Sequence, residues 1–476
     1  MTVLILLRHN RKFPLENSVR DGRRFEIEHL LRESGAESDD IEAVRRFARK
    51  HRLKVVRVNA RKRIIVLRGA ERAIKAIPKN LPGVRGVFGL DHRPVSKRPP
   101  YKKFPPEESL IPPPVNACTR PPKRFRGLYD FPKNATGKGQ CIGVLEFGGG
   151  FSPRKLRTYL RRLGISGAKI KVREIPPGAN RPTGRPGKMS ADTEVYLDLE
   201  MLASIAPDAT LVVYFAENSS RGWIEALHEA IFDRRHRISV LAISWGAAEL
   251  QWDATAIRAI DHLFQFAALL GITVCCASGD RGVFEDAMRP YSVPFPASSP
   301  HVLACGGTQL KVSGTRRKRE SVWNESRVSG LASGGGVSQV FELPAFQAGH
   351  RVPSRAGRQG RGIPDVAANA SSATGYLIWS DDTAMALGGT SAAAPFWAGL
   401  VACLNEALGR RVGYLTPLLY AQKPHPGLKN IAHGNNRLNG RQGYDARRTW
   451  DACTGLGSPR GVKLLDWLKR AFGLPS

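Results

Sequence analysis

Residues 387–395 read LGGTSAAAP, and Ser391 lies inside this run. Two glycines and a threonine lead into the stretch AAAPFWAGLVACLNEAL, which predicts the start of a long helix. A serine at this point lies at the positive end of the helix dipole, and no bulky neighbour shields its hydroxyl group. Ser391 is therefore a candidate nucleophile. The alternative for a serine in this position is a helix N-cap with no catalytic role.

A serine nucleophile needs a base, which is usually a histidine held by a carboxylate. The chain has 11 histidines, but none lies in an HGTH-like segment. Residues 191–207 (ADTEVYLDLEMLASIAP) instead predict an amphipathic helix, because apolar residues recur at helical spacing, at Val195, Leu199 and Leu202. Glu194 and Asp198 lie four residues apart and so share one face of that helix. They are either a catalytic pair or a solvated acidic face.

Five short apolar runs predict the strands of a parallel sheet that is buried on both faces. They are CIGVL (141–145), LVVYF (211–215), SVLAIS (239–244), ITVCCAS (272–278) and HVLACG (301–306). Glu146, the pair Ser244–Trp245, and Asp280 each fall at or just after the C-terminal end of a run. That edge of an open α/β sheet is where functional sites are built. As single residues, Glu146 and Asp280 are equally compatible with ordinary turns.

Six motifs occur in a fixed order along the chain. They are EVYLD (194–198), SWG (244–246), ASGDRG (277–282), FPASSPHVLACGGT (295–308), SGGGVS (333–338) and GGTSAAAP (388–395). In this order the chain resembles the sedolisins, the serine-carboxyl peptidases, and especially their kumamolisin-like bacterial members. The resemblance covers about residues 122–474. It implies a subtilisin-like α/β fold, with a parallel sheet flanked by helices, and endopeptidase activity on proteins or peptides.

The resemblance also implies a role for each matching residue. Ser391 would be the nucleophile, Glu194 its general base, Asp198 the residue that orients Glu194, and Asp280 part of the oxyanion hole. The implied supporting network is Glu146 and Trp245, and the implied substrate-binding residues are Ser244, Gly246, Ser333, Gly334 and Gly335. A histidine is protonated near pH 4, whereas a glutamate there remains partly ionised and can accept a proton. Such an enzyme is expected to act in acid.

Two C-terminal segments, NIAHGNN (430–436) and TWDACTGLGSP (449–459), resemble the calcium site of the same family. The resemblance implies one Ca²⁺ ion, with ligands at Asn430, Ile431, Arg447, Thr449 and Asp451. Asn430 stands where the family has a carboxylate, and main-chain oxygens would serve at Ile431, Arg447 and Thr449. Because calcium favours several carboxylates, the loss of one predicts weaker binding.

Residues 1–92 form a separate unit in which strands and helices alternate, which predicts a small α+β, ferredoxin-like fold. This unit resembles the activation prodomain of sedolisins, which implies an intramolecular inhibitor docked over the active-site edge. Residues 93–121 are rich in proline and lysine, and they are either a processing segment or an inert linker. Residues 122–476 are the expected catalytic domain, so the whole chain would be a self-processing zymogen.

The formal net charge is +32 and the sequence pI is about 10.4. The basic residues are scattered and no nucleic-acid-binding signature occurs, so nucleic acid is not an expected partner. Seven cysteines form no CxxC pair, which favours core packing over a disulfide framework. The apolar run at residues 3–7 predicts a strand rather than a signal peptide, and no run is long enough for a membrane span. A secreted or extracellular monomer is expected by resemblance.

Two other functions remain open from the sequence. A subtilisin-type serine peptidase shares the Gly-Thr-Ser-x-Ala-x-Pro pattern, but it would need the missing histidine segment. A catalytically silent relative that acts as a basic binding module would suit the charge, but it would have no need for Ser391, Glu194, Asp198 and Asp280 together.

Overall fold

The structure is a computed structural model that describes residues 1–78, 81–91, 93–96, 118–184, 190–313, 316–353, 359–440 and 442–475. Most of the expected processing segment, residues 97–117, lies outside the described residues. The helices are α1 (Leu15–Arg20), α2 (Ile27–Glu33), α3 (Ser38–Lys50), α4 (Glu71–Lys75), α5 (Arg124–Leu128), α6 (Pro153–Arg162), α7 (Ala191–Ile205), α8 (Ser220–Ile231), α9 (Ala254–Leu269), α10 (Ser326–Ser329), α11 (Thr390–Leu408), α12 (Leu415–Tyr420) and α13 (Gly461–Ala471).

The strands of the N-terminal sheet are β1 (Thr2–Leu7), β2 (Lys54–Asn59), β3 (Ile64–Arg68) and β4 (Val84–Phe88). The strands that follow are β5 (Cys141–Glu146), β6 (Lys169–Glu174), β7 (Thr210–Phe215), β8 (Val240–Ile243), β9 (Ala247–Ala248), β10 (Thr273–Ala277), β11 (Pro294–Phe295), β12 (Leu303–Ser313), β13 (Arg316–Val322), β14 (Gly336–Glu342), β15 (Gly360–Ile363), β16 (Val366–Asn369), β17 (Tyr376–Ser380), β18 (Thr383–Leu387), β19 (Leu428–Lys429) and β20 (Ser458–Pro459).

An eight-stranded sheet forms the centre of the C-terminal part, in the order β13-β12-β10-β8-β5-β7-β6, with β16 also paired to β12. All of these pairings are parallel except β12 with β13. The five apolar runs of the sequence are β5, β7, β8, β10 and β12, so the expected subtilisin-like α/β fold is confirmed. As in other open parallel sheets, the C-terminal ends of β5, β8 and β10 lie along one edge.

Helices α7 and α11 pack closely against each other. Helix α7 begins with a capping box, in which Ser190 and Thr193 satisfy each other's main-chain N–H groups. Every residue of α7 from Asp192 to Ile205 is buried, so the alternative of a solvated acidic face is wrong. The helix is covered because α11, α6, β7 and β17 pack against it.

The N-terminal unit, defined here as residues 1–91, is an antiparallel sheet in the order β2-β3-β1-β4 with helices packed on it. This strand order with the β-α-β-β-α-β succession is that of a ferredoxin-like fold. The alternation of strands and helices and the α+β, ferredoxin-like fold expected for this unit are therefore observed. One face of the sheet packs against α3, and the hydrophobic cluster there contains residues of the N-terminal unit only.

The other face of the N-terminal unit packs on helices α8 and α9. A single hydrophobic cluster spans both parts of the chain, and it includes Leu4, Leu6, Phe13, Phe88, Trp223, Leu263 and Phe266. At the rim, Arg237 pairs with Glu26, and Arg234 pairs with Glu28 at 2.6 Å. The body of the unit therefore lies beside the active-site edge expected for its docking, and not over it.

The chain that leaves the N-terminal unit reaches that edge at Ser96. The Ser96 hydroxyl donates to Asn218 Oδ1 at 2.8 Å and accepts from Trp223 Nε1 at 3.2 Å. Trp223 stacks on Phe147, with ring centroids 4.0 Å apart, and Phe147 directly follows Glu146. Residues 93–96 thus lead the chain towards the strand ends.

Six of the seven cysteines are buried, which confirms that they pack in the core, and Cys118 is exposed. Among the described residues, no helix has both the length and the apolar composition needed to cross a lipid bilayer.

The close packing of α7 and α11 predicts the effect of substituting Gly399. A Cβ atom at Gly399 would lie 2.5 Å from Ile205 Cγ2, so Gly399→Ala forces the helices apart and should destabilise the protein by about 1–3 kcal/mol. Gly127→Ala in α5 is the matched control, because an added Cβ there meets no atom within 4 Å. Alanine's helix propensity should make the control neutral or up to about 1 kcal/mol more stable. Denaturant midpoints measure both, and equal effects would contradict this packing.

Candidate active site

Three carboxyl groups meet in the core beneath the C-terminal edge of the sheet. Glu194 and Asp198 come from α7, and Glu146 is the last residue of β5. All three side chains are fully buried, with 0% exposure, which excludes a solvated acidic face. Trp245 Nε1 donates to Glu146 Oε2 at 2.9 Å, so the two residues expected to form a supporting network do contact each other.

Burial raises the pKa of Glu146 well above its usual value, and the charge of Glu194 adds to the shift. The pKa of Asp198 is also raised by burial and by the charges of Glu146 and Glu194. The hydrogen bond from Ser244 acts against that shift. Carboxyls this close titrate as a group, and they resist carrying all of their charges at once.

Ser391 lies in the first turn of α11 and is fully buried. Its Oγ atom has no hydrogen-bond partner among the residues that the structure describes. Gly389 precedes this turn with φ of +84°, a backbone conformation that suits glycine, and α11 has no side-chain N-cap bond. The N-cap alternative for Ser391 is therefore wrong, because its hydroxyl group caps nothing.

Ser244 connects the turn of Ser391 to the carboxyl cluster. The Ser244 hydroxyl donates to Asp198 Oδ1 at 2.8 Å and lies 3.3 Å from the main-chain oxygen of Ser391. In a regular helix that oxygen would accept the N–H of residue 395, which is a proline and has none. The proline therefore leaves a main-chain acceptor available for the Ser244 side chain.

Asp280 is held beside Ser391 by the intervening residue. Thr390 donates both its main-chain N–H and its hydroxyl to Asp280 Oδ1, each at 2.7 Å. The other oxygen, Oδ2, faces Gly389, where an added Cβ would lie only 2.8 Å away. Burial raises the pKa of Asp280, although both bonds from Thr390 lower it. A protonated Asp280 would thus carry its proton on Oδ2.

The glycine-rich segment 333–335 packs against the loop that carries Asp280. Gly334 N donates to Gly279 O at 2.7 Å, and Ser278 Oγ donates to Gly334 O at 2.7 Å. Added Cβ atoms at Gly334 and Gly335 would collide with main-chain oxygens, so no larger residue fits there. The Ser333 hydroxyl is engaged, since it accepts from Gly307 N and donates to Cys453 O.

Gly246 follows Trp245 and leads into β9, which pairs with β11. An added Cβ at Gly246 would lie 3.0 Å from the main-chain oxygen of Phe295. Ser244 itself is turned inward to Asp198, so any contact that it makes with a substrate would come from its main chain.

The residues that the resemblance linked to calcium also lie together, near the C-terminus. Both Asp451 oxygens are already occupied, because they accept from the main-chain N–H groups of Arg447, Cys453 and Thr454 at 2.8–3.0 Å. Asn430 Nδ2 donates to Thr449 O at 3.0 Å, which engages a carbonyl that calcium would need. Burial raises the pKa of Asp451 to about 6.

This donor set suits calcium poorly. It offers one carboxylate where the ion favours several, and the described residues contain no cluster of three or more His, Cys, Asp or Glu side chains that would hold a metal. The expected ligand Ile431 is buried and would offer only its main-chain oxygen.

Sequence reasoning missed two residues that hold the site together. Thr390 fixes Asp280, and its only sequence signal is its place before Ser391. Pro395 frees the Ser391 carbonyl, and its signal was the unusual proline inside a predicted helix.

Known proteins match this fold and these motifs. A model described as the subtilase family matches residues 187–426. Kumamolisin from Bacillus sp. (strain MN-32) is 39% identical in an alignment 480 residues long, which covers 92% of this chain and 86% of that protein. Sedolisin from Pseudomonas sp. (strain 101) is 32% identical in an alignment 375 residues long, which covers 74% of this chain and 62% of that protein. The solved Pseudomonas sedolisin, described as a serine-carboxyl proteinase, has a TM-score of 0.67 at 29% identity and covers 76% of this chain and 100% of its own.

The alignment with kumamolisin covers nearly the whole chain, and the subtilase-family match contains Glu194, Asp198, Asp280 and Ser391. With the parallel sheet and the buried serine and carboxyl groups described above, these matches show that the chain belongs to the sedolisin family and is a serine-type peptidase.

Proposed function

We propose that this protein is an acid-acting serine endopeptidase in which Ser391 is the nucleophile and Glu194 the general base. One observation supports this most strongly: a buried carboxyl pair on α7 is joined through the Ser244 hydroxyl to the turn that carries Ser391. A carboxyl group thus takes the place that a histidine has in other serine peptidases. Asp198, the partner of Glu194, orients it.

In this mechanism the Ser391 oxygen attacks the scissile carbonyl carbon while its proton passes to Glu194. The carbonyl oxygen becomes an oxyanion, and Asp280 Oδ2–H donates a hydrogen bond to it. The proton on Glu194 then passes to the leaving amine, the C–N bond breaks, and an acyl-enzyme remains. Water repeats the sequence with the same base and releases the acid product.

Two carboxyl groups with raised pKa values favour acid conditions. Asp280 donates to the oxyanion only while it is protonated, and burial extends that form above the usual range of an aspartic acid. Asp198, with its pKa raised by burial, stays neutral over a similar range and so leaves negative charge to Glu194. Activity should therefore fall as pH rises through these raised pKa values.

The N-terminal unit is, in this proposal, an inhibitory prodomain, and the chain a self-processing zymogen cut between residues 93 and 121. Support comes from the shared hydrophobic cluster with α8 and α9 and from the path of residues 93–96 towards the strand ends. We propose that the enzyme works in an acidic environment outside the cytoplasm.

Three substitutions test the catalytic assignment. Ser391→Ala and Glu194→Gln should abolish both casein cleavage near pH 4 and self-processing, because one removes the nucleophile and the other cannot accept a proton. Asp280→Ala should lower kcat by about 10²-fold or more, the scale typical of an oxyanion donor. Peptide release from pH 3 to pH 8, with intact-mass spectrometry over an acid time course, measures these effects.

Helix α7, which carries Glu194, supplies matched controls. Ser204→Ala and Glu200→Gln change a buried serine and a buried carboxyl of α7 outside the cluster, and they should leave activity near the wild-type level. Wild-type turnover in Ser391→Ala or Glu194→Gln, or an activity optimum near neutral pH, would contradict the mechanism.

Ser244→Ala should lower kcat by about 2- to 10-fold, since a hydrogen bond between neutral groups contributes about 0.5–1.5 kcal/mol. The lost bond acts to lower the pKa of Asp198, so its removal should move the carboxyl limb of the pH profile to higher pH. Ser244→Thr, which keeps the hydroxyl group, should restore much of the rate. A rise in KM with an unmoved pH profile would instead mean that the side chain only binds substrate.

We also propose that any calcium bound at Asp451 and the main-chain oxygens of Ile431, Arg447 and Thr449 is bound weakly. Asn430→Asp should strengthen binding, because it removes the amide donor from Thr449 O and adds a carboxylate. The rise in Tm with millimolar calcium at pH 7 should be larger in this variant than in the wild type. Asn439→Asp, in an exposed turn, is the matched control for added charge. Equal calcium responses in all three proteins would exclude an ion at this loop.

A further inference from the structure

Three histidines lie where the N-terminal unit meets helices α8 and α9. His9 follows β1, and its ring meets that of His262 from α9 edge-on, with centroids 6.2 Å apart. His228 comes from α8 and is only 1% exposed. Both sides of the interface thus contribute imidazole groups. That of His228 is buried, and those of His9 and His262 are half-buried.

These imidazoles have few polar partners. Among the described residues, neither ring nitrogen of His228 makes a hydrogen bond, and neither does Nδ1 of His9. An unpaired buried imidazole is tolerable while it is neutral, but a buried imidazolium without a partner is strongly destabilising.

The surroundings of the three histidines are already cationic. Arg63 of the N-terminal unit is 2% exposed and lies over the ring of Phe266, 4.5 Å from its centroid. Its Nη2 atom has no hydrogen-bond partner in the described part of the chain. Burial of this guanidinium lowers its pKa to about 9, which shows how poorly the interface accepts positive charge.

Each histidine faces charged groups from both sides. His9 faces Arg63, Arg85 and His262. His262 faces Arg85, Arg63 and His301, and it also faces Asp261, whose carboxylate is bound by His301, Ser299 and Gln265. His228 faces Arg63, Lys62 and Arg57 of the N-terminal unit. On its own helix, Glu225 pairs with Arg221 and Arg57, and Glu229 pairs with Lys62.

We propose that His9, His228 and His262 form a pH-sensitive switch that keeps the N-terminal unit docked while they are neutral and releases it when they gain protons. This inference rests on the proposed function, in which that unit is an inhibitory prodomain. It assigns the release step to imidazoles buried at the interface.

The direction of the effect follows from the burial. Burial, with the charges of Arg63 and Arg85, lowers the pKa of His9 and of His262 to about 4, and it lowers that of His228 well below the usual value. Once the N-terminal unit has undocked, the pKa values of all three side chains are expected to return to about 6.5. The docked state therefore binds fewer protons, so docking is strongest above pH 6.5 and is lost as pH falls from there towards 4. For His9 and for His262, a shift of this size weakens docking by on the order of 10²-fold each at pH 4.

Carboxylates at the exposed rim explain the release less well than the imidazoles, although the partly buried pairs of Glu225 with Arg57 and of Glu229 with Lys62 also cross the interface. The pairs of Glu26 with Arg237 and Glu28 with Arg234 lie at the exposed rim, where ion pairs contribute little. Asp40 pairs with Arg8, and Glu42 with Arg45, inside the N-terminal unit itself. The imidazoles, in contrast, lie within the interface, where little water can solvate an added charge, and least of all at His228.

The test uses the full chain with Ser391→Ala, so that opening is measured without cleavage. Hydrogen exchange of residues 2–7 and 254–269, corrected for the intrinsic effect of pH, should show opening with a midpoint between pH 6.5 and 4. Combining His9→Gln, His228→Gln and His262→Gln should lower that midpoint by at least one pH unit. His51→Gln is the matched control, because His51 stacks on Phe47 at the end of α3, on the opposite face of the unit.

Two further measurements keep the inference testable. The single variants, each checked for an unchanged Tm at pH 7, should lower the midpoint by smaller amounts if the triple variant folds poorly. Histidine Cε1–H resonances of the parent should titrate together with opening. Two results would contradict the proposed switch. One is titration of these histidine resonances near pH 6.5 while the N-terminal unit is still docked, and the other is an opening midpoint that is unchanged in all variants.

The outcomes separate this inference from the proposed function. An unmoved midpoint removes the switch and leaves the peptidase mechanism intact. A parent protein that opens as expected while the wild type cleaves nothing at any pH would instead remove the proposed function.

Discussion

The burial of ionisable carboxyl groups on a helix with no solvent-exposed face is the constraint on which the rest of the structure depends. Isolated charges are expensive in a protein interior, so Glu146, Glu194 and Asp198 are tolerable together only when they share protons and accept hydrogen bonds. Trp245 and Ser244 supply such bonds from the segment after β8. Helix α11 packs closely on α7, and the three carboxyl groups are fully buried.

In the proposed mechanism, burial of ionisable groups makes both catalysis and zymogen release depend on pH. In the cluster, burial favours the protonated carboxyl groups, which are neutral; at the interface, it favours the deprotonated imidazoles, which are also neutral. Lower pH therefore suits the first environment and disrupts the second. Lower pH would then favour both activation and activity, although the two groups of residues do not share a hydrogen bond in the described structure.

Sequence could predict what is encoded locally. The five central strands were visible as apolar runs, and motif order placed the residues at their ends along one edge. The complete burial of α7 could not be predicted, because the repeat of Val195, Leu199 and Leu202 indicates one apolar face and does not show what packs on the opposite face. The bond between Ser244 and the Ser391 carbonyl depends on Pro395 and on contacts between distant segments. The interface histidines are separated by up to 253 positions (9 and 262), so no local pattern joins them.

The large positive charge does not favour a basic binding module over an enzyme. A binding surface needs charge outside, and it gains nothing from a carboxyl cluster inside. Such a cluster costs stability, and proteins retain costs of this kind mainly where function requires them. Arg63 extends the argument to the interface: a buried, poorly paired cation weakens docking even at neutral pH. An interface for permanent attachment would avoid a buried, poorly paired guanidinium. An interface that must separate in acid can use one, because each imidazolium that forms is then repelled by a positive charge that is already present.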